Sequence, residues 1–268
     1  MELEVLGYIS AILVGVSLGL IGSGGSILTV PILVYMMSVD PVLATAYSLF
    51  VVGATSLVGG VKNILNKMVD LKTAVVFGVP SIIAVYLTRA YLVPFIPEVI
   101  FSVGDFQLTK SIALMLLFAV VMILASMSMI KPRKKTNDYD LSSIKYNYPL
   151  VLLEGSLVGV LTGLVGAGGG FLIIPALVIL ARMPMKLAVG TSLLIIAAKS
   201  LLGFLGDIQS DRNIDWILLS IFTGLSVAGI FIGIYLSKKI DGDKLKTGFG
   251  WFVLLMGVYI IIKELFLS

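Results

Sequence analysis

Apolar runs of 12 to 24 residues, parted by short polar or glycine-rich interruptions, fill nearly the whole chain. Ten segments stand out: 5–21, 26–37, 42–61, 72–93 and 109–130, then 150–165, 170–181, 186–206, 214–237 and 247–266. A helical membrane span needs roughly 20 apolar residues. The pattern therefore predicts an all-α polytopic membrane protein. Residues 131–149 (KPRKKTNDYDLSSIKYNYP) form the one clearly polar stretch. They divide the chain into 1–130 and 150–268, each read as one transmembrane repeat, with a cytoplasmic linker between.

The two parts repeat one another. VGVSLGLIGSGGSILTVPILV (14–34) aligns without gaps on VGVLTGLVGAGGGFLIIPALV (158–178), with 12 of 21 positions identical. The offset of 144 continues past a one-residue adjustment near Pro41 and Pro184, pairing Ala44 with Ala188, Ser48 with Ser192 and Gly59 with Gly203. Asp70 then matches Asp215.

Each half opens with an apolar run, a glycine-rich break and a short second run. Twelve helical residues reach about 18 Å, short of the roughly 30 Å hydrocarbon core. The pair is either one broken crossing or a hairpin returning to the same face. Hairpins put 14 Lys and Arg on the cytoplasmic side and 4 outside; single crossings give 10 against 8. The positive-inside bias favours hairpins, both termini outside, and two inverted repeats, each a glycine-broken hairpin plus three transmembrane helices. Two short full spans per break would give the same topology.

Composition narrows the chemistry. The 268 residues are 59% hydrophobic and 13% charged, with a mean hydropathy of +1.11. That excludes an ordinary water-soluble enzyme and a disordered chain. The net charge of +4 does not point to nucleic acid. Neither Cys nor His occurs, which excludes disulfides, HExxH zinc sites and His-based triads. No phosphate-binding G-x-x-x-x-G-K-[ST] loop is present. The reading is of a non-enzyme without metal or cofactor. The start MELEVLGY lacks a basic leader region, so the first run is expected to stay as structure.

Non-helical backbone at membrane depth survives only where protein or water surrounds it. The breaks Gly22, Ser23, Gly24, Gly25, Ser26 and Gly166, Ala167, Gly168, Gly169, Gly170 are such places. Each short helix that follows presents free amides and a positive dipole end, which suit an anion. Inverted repeats would bring the two tips together near the midplane, the recurring layout of secondary-transporter sites. The alternative for these glycines is tight helix packing, the preferred reading of Gly15-x-x-x-Gly19 and Gly159-x-x-x-Gly163. Pro31 and Pro175 fit first helical turns, so these short helices could start later than drawn.

Lys199 is the one charge near the middle of an apolar span. Its insertion costs roughly 2.5–3.5 kcal/mol, and it suits either an anion or a watery crevice. Its repeat counterpart is Thr55. Ser48, Thr191 and Ser192 begin third segments and could donate to an oxyanion, or bond their own helices. Asn63, Asp207 and Arg89 read as interfacial, Trp216 and Trp251 as belt residues, and Asp70 and Asp215 as helix caps.

At these residues the chain resembles the sulfite exporter TauE/SafE family. The resemblance rests on GLIGSGGSILTVP and GLVGAGGGFLIIP, extended by ATAYSL, AVGTSL, VDL and IDW. It covers nearly everything outside 131–149. It implies a cell-membrane transporter of small sulfur-containing or organic anions such as sulfite or sulfonates. The residues alone reach an anion-favouring secondary transporter working by alternating access, with an anion channel as the alternative. The partners expected are the small anion and the bilayer, with a homodimer left open.

Overall fold

A computed structural model describes residues 2–22, 25–103, 106–130, 148–179, 183–209, 213–237 and 242–266. The first half holds α1 (Glu2–Ile21), α2 (Gly25–Tyr35), α3 (Pro41–Leu65) and α4 (Leu71–Leu87). A π-helical turn (Thr88–Leu92) and a single turn α5 (Val93–Phe95) follow. Strands β1 (Val99–Val103) and β2 (Phe106–Thr109) then pair antiparallel before α6 (Lys110–Ile130). The second half holds α7 (Tyr148–Val165), α8 (Gly170–Ile179), α9 (Met185–Ile208), α10 (Trp216–Leu236) and α11 (Gly242–Phe266). Among the described residues seven helices are long and apolar enough to cross a bilayer. The linker reading falls on residues 131–147, which lie outside the described residues.

All ten apolar segments are helices, with ends a few residues from the sequence reading. Aspartates set several starts. Asp40 Oδ1 accepts from the Val42 amide at 2.9 Å, with Pro41 at the first helical position. Asp70 caps α4 and Asp215 caps α10, each accepting from two amides of the first turn. A side-chain cap of this kind stabilises a helix by about 1 kcal/mol. The proline expectation is overturned: α2 and α8 begin at Gly25 and Gly170, so Pro31 and Pro175 sit in their interiors. The β-hairpin is an addition to the all-α reading.

Helix α2 folds back on α1 as a hairpin. Gly25 abuts Ser17 and Leu18, while Met36 and Met37 reach Gly7 and Ser10 at the far end. At 1.5 Å per residue, α2 covers only about 16 Å.

Helix α1 packs on α10, and α7 packs on α4. A Cβ on Gly15 would lie 2.9 Å from the Ile230 amide nitrogen, and one on Gly159 would lie 2.7 Å from Ala84 Cβ. The two G-x-x-x-G stripes thus let backbones approach, as small residues do between membrane helices. Both pairs run parallel. By contrast α3 and α9 run antiparallel, Gly53 against Leu201 and Gly60 against Leu194. So do α6 and α11, with Gly257 against Ile123 and Gly250 against Met129. Burial covers 72% of α3 and 67% of the α9 span, against 28% of α11. The α3–α9 pair is therefore the centre of the bundle.

Two hydrogen bonds tie the halves at matching places. The Asp70 amide donates to Thr191 Oγ1 at 2.9 Å. The Asp215 amide donates to the Tyr47 hydroxyl. Each third helix thereby holds the start of a helix in the other half.

Candidate functional site

Positive φ angles mark both breaks: +77° at Gly22, and +72°, +61° and +68° at Gly166, Gly168 and Gly169. Ser23 and Gly24 lie outside the described residues. Gly22, Gly25 and Ser26 are buried, as is all of 166–170. Each break rests on the other half: Gly22 against Val189 of α9, and Gly166 against Thr45 of α3. Thr45 and Val189 are repeat counterparts at the offset of 144.

This placement sets the first residues of the two breaks apart, while the short helices α2 and α8 that follow them touch one another. In the α3–α9 register Val189 lies opposite the C-terminal end of α3, about 20 residues from Thr45. That separates Gly22 from Gly166 by roughly 30 Å along the helix axes. Some break amides are also committed: Gly166 donates to the Thr162 carbonyl at 2.8 Å and Gly169 to the Ala167 carbonyl at 2.6 Å.

The second break does reach the centre. Gly168 packs against Val52 and Ile196. A Cβ on Gly169 would lie 2.6 Å from Lys199 Nζ, leaving no room for a side chain. Lys199 is 0% exposed, and its ammonium donates to Thr162 Oγ1 at 3.1 Å. Among the described residues it forms no ion pair. Lys199 and Thr55 sit level across the α3–α9 contact. Ser56 and Ser200 are their chain neighbours and Ser48 lies two turns earlier on α3; the hydroxyls of Ser48, Thr55, Ser56 and Ser200 are buried with no partner among the described residues. Positions 48, 55 and 56 share one helical face. The other hydroxyl candidates are occupied: Thr191 holds the α4 start, and Ser192 donates to the Val189 carbonyl at 2.9 Å.

Arg89 and Asp207 lie near helix ends, as read from the sequence, but face the protein interior. Both are fully buried, and Arg89 Nε donates to Asp207 Oδ2 at 2.6 Å. Arg89 Nη1 donates to Thr45 Oγ1 at 3.0 Å and to the Gly163 carbonyl at 3.1 Å. The π-helical turn carries Arg89, a geometry that often marks functional sites. One guanidinium thus joins four elements beside the second break. Breaking such a buried pair costs about 3–5 kcal/mol. Sequence reading missed it because both residues lie near segment ends. A usable signal was the repeat itself: Thr55/Lys199, Asn63/Asp207 and Arg89/Ile234 are matched positions where only one half is charged. All three charged members gather at the second break.

A groove of about 730 Å³ opens elsewhere, between α4 and α7, lined by Ile83, Leu87, Tyr91 and Phe95 among others. It is apolar, and neither Lys199, Arg89 nor Asp207 lines it.

Spanning helices around a glycine-interrupted, cation-bearing centre define a polytopic membrane protein of transporter type. Residues 8–260 match the family described as "Sulfite exporter TauE/SafE", and the chain belongs to it. A "Probable membrane transporter protein" of Xylella fastidiosa (strain 9a5c) is 29% identical over 93% of this chain and 91% of its own. "Probable membrane transporter protein YunE" of Bacillus subtilis (strain 168) is 28% identical over 98% of both. No solved structure matches.

Proposed function

We propose that the chain is a secondary transporter that exports a small anion, of the sulfite or sulfonate class, across the cell membrane. Two inverted repeats, 1–130 and 150–268, alternate access to the α3–α9 contact. Support for the inversion comes from repeat counterparts that run antiparallel, α3 with α9 and α6 with α11. The exchanged contacts of α1 with α10 and α7 with α4 fit the same symmetry. Both termini lie outside in this reading, as the positive-inside count favours.

The observation that carries the anion reading is Lys199. A fully buried ammonium beside the break that opens α8 adds its charge to a positive helix end, with no carboxylate among the described residues to balance it. Buried charges are retained where they are paired or functional. A small anion between Gly168, Gly169, Gly170 and Lys199, reached by Ser48, supplies that balance. The first break, at Gly22, Ser23, Gly24, Gly25 and Ser26, serves the opposite half of the pathway with Thr191 and Ser192 near it. The sulfur class comes from the family description alone.

The test is a panel of sulfite, sulfate and sulfoacetate in proteoliposomes, with Lys199→Ala beside wild type. Saturable, counterflow-capable flux that falls at least tenfold in the variant is expected. Unchanged uptake of every transported anion would remove Lys199 from the site. Single-channel currents would replace the carrier by an anion channel with the same breaks as its filter.

A further inference from the structure

Arg89 carries more donors than the fold uses. A guanidinium has five N–H donors. Nε is held by Asp207, and Nη1 by Thr45 and the Gly163 carbonyl. Nη2 is buried and has no partner among the described residues. An ion pair that merely braced helices would have no need of that idle donor, in a setting where buried polar groups are otherwise satisfied.

Its position is equally specific. Arg89 and Lys199 bond adjacent residues near the end of α7, Gly163 and Thr162. Thr45, which accepts from Arg89, is also the residue on which Gly166 rests. The two buried cations therefore bracket one break. Lys199 stands at its central end and Arg89 at the end nearest the start of α3. The matched positions in the other half carry Ile234 and Thr55, so neither cation has a charged counterpart.

Building on the anion-transport reading, we infer that Arg89 is a second anion-binding residue and that Asp207 occupies it in the absence of the anion. Nε and Nη2 form one edge of the guanidinium, the edge that accepts two oxygens of a carboxylate, sulfonate or sulfite side by side. Asp207 holds the Nε half of that edge. An incoming oxyanion takes Nη2 and competes with Asp207 for the rest. The ligand class is a small oxyanion presenting two oxygens, met at Arg89 on its way to or from Lys199.

The experiment is calorimetric titration of the purified full chain in nanodiscs with sulfite and with sulfoacetate. Asp207→Asn removes the competing charge and keeps a carbonyl oxygen for Nε, so binding should tighten about tenfold, the scale of one charge-assisted hydrogen bond. Arg89→Gln with Asp207→Asn leaves a neutral pair that avoids an orphaned buried charge. This double variant should lose the gain and bind about tenfold more weakly than wild type, at a melting temperature close to wild type. Equal affinity in wild type, D207N and the double variant overturns the role of Arg89. If D207N melts before it can be titrated, equal affinities of wild type and the double variant overturn it alone. Lys199→Ala separates the two readings. Binding lost in K199A but indifferent to D207N leaves the anion site standing without Arg89. No binding of either anion to wild type or any variant overturns both.

Discussion

Replacing Gly169 by Ala tests the contact between the second break and Lys199 with a single methyl group. The residue sits at φ +68°, where an L side chain costs roughly 1–2 kcal/mol. The added Cβ would stand 2.0 Å from Thr162 Cγ2 and 2.6 Å from Lys199 Nζ, so the threonine and the ammonium bonded to it must both shift. Losing the Lys199–Thr162 hydrogen bond forfeits a further 1.5–3 kcal/mol or so. Together the two effects reach about 2.5–5 kcal/mol. Gly224→Ala is the matched control. It lies inside α10 with nothing within 4 Å of its Cβ position, and there alanine should stabilise by about 0.8–1 kcal/mol. Thermal melts in detergent and sulfite uptake into proteoliposomes read both effects. G169A should melt several degrees lower and transport at least tenfold more weakly; G224A should match or exceed wild type in both. A G169A protein that transports like wild type would refute the claim that Lys199 needs the space this glycine leaves.

Two further outcomes follow. Tyr47→Phe removes the acceptor of the Asp215 amide and should cost about 1 kcal/mol, seen as a lower melting temperature with uptake per folded molecule unchanged; an unchanged melt would strip that cross-half bond of its role. The chain has no Cys, so single cysteines report sidedness without background. Ser111→Cys should react with a membrane-impermeant maleimide on intact cells, and Lys67→Cys only after lysis; the reverse order would invert the proposed orientation.

The elements were legible where local chemistry decides them. Apolar runs of spanning length, capping aspartates at 70 and 215 and small residues at 15, 19, 159 and 163 each act through their own helix or the one beside it. The pairing of elements was not legible in the same way. Every segment is apolar on most faces, so nothing in its polarity names its neighbour, and α1 finds α10 rather than its own α4. The seats of the breaks depend on that pairing too, since Gly22 rests on Val189 and Gly166 on Thr45, each in the other half. Arg89 and Asp207 are 118 positions apart, a contact that only the assembled bundle reveals. The β-hairpin at 99–109 escaped notice because its short alternating strands blend into a connector between apolar runs.

The exchanged packing has a bearing on biosynthesis. When the ribosome has finished α6, the glycine stripe of α1 still faces lipid, because the surface it fits belongs to α10, some hundred residues from being made. The Thr191 hydroxyl that steadies the start of α4 is equally absent. The early half must therefore wait in the bilayer, inserted but unsettled, and the late half completes both at once. Duplication gave this protein two copies of one module, yet the way they clasp makes neither copy a self-sufficient unit.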